Sequence, residues 1–212
     1  MKDMELFGES VLCSLESKDR SKKVMITEEA INKVPYIEYK NIDETEYKNI
    51  QYLAKKVLQL SKDNNNSNEV AITYGLAVME MLSEDSDYVG IAFGNEHDVK
   101  PLSDTKSSLL IHGYKRCAVV LLHNHPSLSL ISLEDIRFFL EHWGIQLMVI
   151  VSNLGAISYI SKSRTFNSYK AIELLNDCIT KNNMATDLKG KADAVKYFIQ
   201  NCHSVGIDYD DR

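Results

Sequence analysis

The sequence predicts a mixed α/β domain flanked by helices. Three observations lead there. Short runs rich in β-branched and aromatic residues occur at 88–93, 117–122 and 147–151. Between the second and third lies an apolar stripe at i, i+3, i+4 and i+7, formed by Ile136, Phe139, Leu140 and Trp143, which marks a one-faced helix. Two further stripes at helical spacing follow toward the C-terminus.

Taken in order, residues 1–40 mix short apolar stretches with charge and carry no sustained period, which fits either an ordered arm or a partly disordered lead. Asp43 and Glu46 then have the spacing of a capping box. Tyr47, Ile50, Leu53, Ala54, Val57 and Leu58 recur at helical intervals, so a helix is expected to about Leu60. The polar run Asn64, Asn65, Asn66, Ser67, Asn68 ends it as a loop. Across residues 69–82 two signals compete: Val70, Ile72 and Tyr74 alternate like a strand, while 76–82 permits a helix. The run at 117–122, the Ile136 helix and the run at 147–151 make a βαβ-like unit. Ala171, Leu174, Leu175 and Cys178, then Val195, Phe198, Ile199 and Cys202, make the last fifty or so residues mostly helical. The expected organisation is an N-terminal arm at 1–40, a domain with its leading helix at 41–162, and a helical C-terminal extension at 163–212.

Composition narrows the function. Of 212 residues, 44% are hydrophobic and 25% charged, as in folded proteins of one sizeable core. Lysine and arginine total 24 against 30 acidic residues, a net charge of −6, and no stretch collects basic residues, so nucleic acid is an unfavoured partner. The apolar runs fall well short of the roughly 18 residues of a membrane-spanning helix. The first ten residues lack the basic start and apolar core of a secretory signal, so the expected address is the cytoplasm. Cys13, Cys117, Cys178 and Cys202 are widely spaced, with no C-x-x-C pair, and read as reduced thiols.

The chemistry concentrates at Leu121-Leu122-His123-Asn124-His125-Pro126-Ser127, followed by Ser132-Leu133-Glu134-Asp135. Side chains two apart in a strand share a face, so His123 and His125 can aim at one point. Pro126 ends the strand, and Ser132 begins a helix with Asp135 in its first turn. Two imidazoles and a carboxylate form a three-ligand set of the kind catalytic zinc uses, with a fourth position left for water. A serine beside such a metal can donate to an oxyanion, and Ser132 is the candidate for that role. Taken alone, Ser132-x-x-Asp135 is most simply a capping box, and a lone His-x-His is more often structural. His112 either lines the site or is buried with one hydrogen bond; His142 reads as exposed; His97 and His203 have no partners at useful spacing.

The His-Asn-His-Pro-Ser segment, preceded by Ala118-Val119-Val120-Leu121-Leu122 and followed by Ser-Leu-Glu-Asp at a helix start, resembles the JAMM (JAB/MPN) metalloproteases, above all their bacterial RadC-like branch. The resemblance covers roughly residues 69–162. It implies a JAB/MPN-like (cytidine-deaminase-like) sheet core and a Zn2+-dependent peptidase or isopeptidase acting on a protein or peptide substrate. Its metal ligands would be His123, His125 and Asp135, with Ser132 near the oxyanion. The family pattern also has a glutamate general base before an early strand. Placed before the strand at 88–93, that position holds Asp87, one methylene shorter; Glu84 ranks second, with Glu80 and Glu96 as further options. The six residues between His125 and Ser132 are one fewer than the family usually has.

Rival readings separate on residues. A deaminase zinc site needs His-x-Glu and Pro-Cys-x-x-Cys, which are absent. Nucleases of the His-Asn-His type spread those residues over a ββα motif, and Walker A, G-x-G-x-x-G, H-E-x-x-H and G-x-S-x-G are absent. The alternatives that stand are a catalytically impaired relative acting as a protein-interaction module, and a RadC-like role near DNA repair, for which residues 1–68 offer no helix-hairpin-helix signature.

Overall fold

The computed structural model describes residues 22–76, 88–113, 118–127, 130–181 and 187–212. After an irregular start come α1 (Glu28–Lys33), capped by the Thr27 hydroxyl, and α2 (Tyr47–Asn64). Strands β1 (Val70–Gly75) and β2 (Val89–Phe93) precede α3 (Thr105–Gly113). Then follow β3 (Val119–His125), α4 (Leu133–Glu141), β4 (Ile145–Ser152) and β5 (Ile157–Lys162). The chain closes with α5 (Ser168–Lys181), α6 (Leu188–Asn201) and β6 (Ile207–Asp211). The six strands form one mixed sheet in the order β2-β1-β3-β4-β5-β6, parallel only between β3 and β4. Those two strands are joined through α4, the crossover a parallel pair needs.

Both faces of the sheet are covered, so the central strands β3 and β4 are buried along their whole length and read as unbroken apolar runs. Alternation still decides which layer each residue joins. Val70, Ile72, Tyr74, Val120, Leu122, Leu147, Val149, Val151, Ile157 and Tyr159 pack against α2, α1 and the residues around them. Ala71, Leu121, Met148, Ile150 and Ile160 pack on the opposite face against α3, α4, α5 and α6. Lys162 is buried among that second set, its Nζ donating to the His142 carbonyl at 2.8 Å and lying 4.5 Å from the Phe139 ring centroid. It places a cation at the C-terminal end of α4, where carbonyls lack helical partners.

Several expectations change. Asp43 does not build a capping box with Glu46. It caps a 3-10 turn at Glu44–Glu46 by accepting from the Thr45 N–H and hydroxyl, and the Glu46 carboxylate accepts from Tyr74 Oη at 2.9 Å instead. Trp143 is not on the α4 core face: the helix stops at Glu141, and Trp143 is 57% exposed. The competition at 69–82 resolves to a strand over 70–75, with 77–82 outside the described residues. His112 is not buried: it is exposed on the last turn of α3, its Nδ1 3.0 Å from the Ser108 carbonyl and its ring centroid 5.8 Å from that of His142. The C-terminal segment is helical through α5 and α6 but ends as β6, the sheet's edge strand. Cys178 and Cys202 are buried thiols outside any disulfide, and burial pushes both up to about 11. No helix among the described residues is long and apolar enough to cross a membrane.

Candidate metal centre

Three candidate ligands meet at the C-terminal end of β3. His123 and His125 lie on the α4 face of the strand, and their Nε2 atoms are 3.1 Å apart. Asp135, in the first turn of α4, offers one oxygen to each ring: Oδ1 is 3.1 Å from His123 Nε2 and Oδ2 is 3.4 Å from His125 Nε2. A tetrahedron with zinc–ligand bonds of 2.0–2.1 Å has edges of about 3.3 Å. The imidazole–imidazole separation lies near that edge, and each ring already has an Asp135 oxygen at about that distance, a different oxygen for each. One atom from each of the three side chains lies within 4.8 Å of the others, so the donor set suits a metal of this class once one carboxylate oxygen serves both rings. Both histidines are buried and Asp135 nearly so. Among the described residues this is the one group of three or more such side chains able to share an ion.

Local sequence explains the convergence. Strand alternation points both imidazoles to one side, and Pro126, which lacks an N–H, follows directly after the second. The capping-box reading of Ser132-x-x-Asp135 holds, and the same box leaves the Asp135 carboxylate beside both imidazoles. Asp135 Oδ2 accepts from the Ser132 N–H at 2.7 Å and from the Ser132 hydroxyl at 2.6 Å, while Ser132 Oγ accepts from the Asp135 N–H at 3.0 Å. The reciprocal bonds of a helix start therefore aim the carboxylate at the imidazoles. Burial alone would raise the Asp135 carboxyl, but the two imidazoles, by charge and hydrogen bonding, hold it well below the usual carboxylate range. The Ser132 hydroxyl proton is directed at Asp135, so its first role is orienting that carboxylate.

Sequence reasoning passed over Glu69. The β1–β3 register pairs Ala71 with His123, so Glu69, two residues back along β1's line, falls on the face and at the level of His125. It is buried. Burial pushes its carboxyl up, and the charges of His123 and His125 offset that only in part. Its backbone is held on both sides: the Glu69 N–H donates to the Asn95 carbonyl, and the Glu69 carbonyl accepts from Gly94 N and Asn65 Nδ2. The readable signal was a glutamate directly ahead of the alternating Val70, Ile72 and Tyr74. Asp87, Glu84 and Glu80 lie outside the described residues, and Glu96 is exposed in the turn after β2.

Comparison with protein-family models, with curated proteins and with solved structures found no match.

Proposed function

We propose that this chain is a zinc-dependent hydrolase of peptide or isopeptide bonds, of the kind the JAMM resemblance implies. One observation carries the reading: a buried acid, Glu69, lies on the face and at the level of a cluster in which two imidazoles and one carboxylate are gathered closely enough to share an ion. His123 Nε2, His125 Nε2 and an Asp135 oxygen would hold the ion. When bound, zinc would acidify the attacking water and polarise the scissile carbonyl.

The remaining work falls to the chain's own groups. A Glu69 carboxylate oxygen takes a proton from the attacking water and passes it to the leaving amine nitrogen, a task suited to a buried carboxyl whose proton affinity is raised. Ser132 keeps Asp135 oriented, and donation to the oxyanion requires its hydroxyl to rotate away from Asp135. Glu69 fits the family's glutamate-before-an-early-strand without the lost methylene that Asp87 would entail. It therefore takes first place as the base, with Asp87 kept as a control.

The test has two stages. Elemental analysis of purified protein should find about one zinc per chain, lost in His125→Ala. The zinc form is then offered mixed fluorogenic peptides and isopeptide-linked probes. Cleavage should disappear in Glu69→Gln with zinc retained and persist in Asp87→Ala. Wild-type protein that takes up no added zinc would overturn the hydrolase reading and favour an interaction module. Loss of cleavage in Asp87→Ala alone would return the base to Asp87.

A further inference from the structure

On the opposite face of β3, directly beneath the metal ligands, the side chain between the two histidines joins a second buried polar cluster. Asn124 is fully buried. Its Oδ1 accepts from the Val70 N–H at 2.7 Å. Its Nδ2 donates to Asn153 Oδ1 at 2.8 Å, the Asn68 carbonyl at 3.1 Å and Ser61 Oγ at 3.2 Å, so two protons serve three acceptors. Asn153, also fully buried, donates from Nδ2 to the Val24 carbonyl at 2.7 Å and the Ser67 carbonyl at 3.0 Å. Its backbone N–H reaches the His125 carbonyl at 3.1 Å.

The Val70 amide is the peptide group that follows Glu69. The register pairing of β1 with β3 runs only as far as Ala71 and His123. One residue further on, Asn124 Oδ1 takes the N–H that a strand partner's carbonyl would otherwise hold. The loop delivering Glu69 adds to the demand for a clamp. Asn66 and Ser67 both sit in the left-handed region, at φ 50° and 58°, which non-glycine residues adopt only when their surroundings hold them there. Ser67 is held by its bonds to Ser61, Ile26 and Asn153.

We infer that the Asn124–Asn153 amide pair is a positioning device that fixes Glu69 opposite the His123/His125/Asp135 cluster and couples that geometry to the N-terminal arm at Val24. The inference rests on the proposed hydrolase reading for its catalytic consequence, and on the hydrogen bonds alone for its mechanical one. Neither amide touches substrate or metal; both act through the backbone on either side of Glu69 and His125.

The experiment compares wild type, Asn124→Ala and Asn153→Ala by site-resolved amide exchange, zinc content and cleavage of whichever fluorogenic peptide the wild type accepts. Asn124→Ala should keep one zinc per chain, speed exchange at the Val70 amide at least about tenfold, and slow turnover about 10–100-fold with KM little changed, the range met when a supporting partner is removed. Asn153→Ala keeps the bond to Val70 and should shift the same quantities in the same direction by less; it carries the test if Asn124→Ala does not fold. Unchanged exchange at Val70, or faster exchange with turnover unaltered, would overturn the inference. Wild-type protein that binds no zinc would overturn the hydrolase reading instead, since the exchange result needs no metal.

Discussion

Chelating the protein and returning zinc should raise its thermal midpoint by an amount set by the ratio of free zinc to Kd. The two Nε2 atoms stand 3.1 Å apart and each has an Asp135 oxygen at 3.1–3.4 Å, so the side chains are already gathered and one carboxylate oxygen has only to come to serve both rings. That gathering lowers Kd, and at a given Kd the stabilisation is RT ln(1 + [Zn]/Kd), about 2.7 kcal/mol at a hundred times Kd. In a chain of this length each kcal/mol moves the midpoint by about 2–4 °C, which gives roughly 5–11 °C. The assay is a thermal melt of chelator-treated wild type and His125→Ala across a zinc series under reducing conditions. Wild type should climb with the logarithm of free zinc, and the variant should stay flat. Equal shifts in both proteins would place zinc elsewhere, on the acidic surface or the thiols. No wild-type shift at any concentration would show that the donors cluster for structural reasons alone.

Glu69→Gln should stabilise the metal-stripped protein as it disables it. The Glu69 carboxyl is raised above its ordinary value near 4.5 on folding, so its contribution is fully present below that pH and is lost as pH rises through the folded-state value. Glutamine has no such proton to lose. Urea denaturation at pH 4 and pH 7 should therefore show the variant's advantage widening with pH; a constant gap would contradict the burial argument. Ser132→Ala removes both the helix cap and the support of Asp135. Denaturation should register a cost of about 1 kcal/mol, and chelator competition a zinc affinity lower by about 10–100-fold. Gly155→Ala should cost about 2–4 kcal/mol, because φ is +89° and an added Cβ would lie 2.3 Å from the Ala30 carbonyl oxygen, a strained turn set against α1. A thermal midpoint lower by less than about 3 °C would count against that packing.

What the sequence disclosed, it disclosed through periodicity. Short apolar runs rich in β-branched and aromatic residues marked β2, β3 and β4, the stripe from Ile136 marked α4, and the spacing of His123, His125 and Asp135 marked three side chains that the structure brings together. Where a neighbour in space decides the outcome, one-dimensional patterns were silent or misleading. Glu69 follows an asparagine-rich loop, where a carboxylate is normally solvated; its place just ahead of an alternating strand gains meaning only from the register that carries it to the level of His125. β6 reads Ile207-Asp208-Tyr209-Asp210-Asp211, a charged sequence suited to a sheet edge, with none of the apolar weight of a central strand. The stripe through Trp143 ran past the real end of α4 because a 3.6-residue period does not show where backbone hydrogen bonds stop.

Three consecutive residues of β3 face alternately across the sheet, and this bears on how such a protein can change. A slip of one residue in that strand would swing Asn124 into the ligand cluster and both imidazoles into the layer under α2, exchanging two polar assemblies at once. Insertions and deletions in this strand should therefore be lost as misfolded chains before any question of activity arises. Glu69 and Asp135 reach the same centre from a loop end and a helix start, where a side chain can be replaced with its backbone left in place. Inactivity with the fold preserved should accordingly arise at those two positions, by substitution of the acids, far more readily than in the strand that carries the histidines.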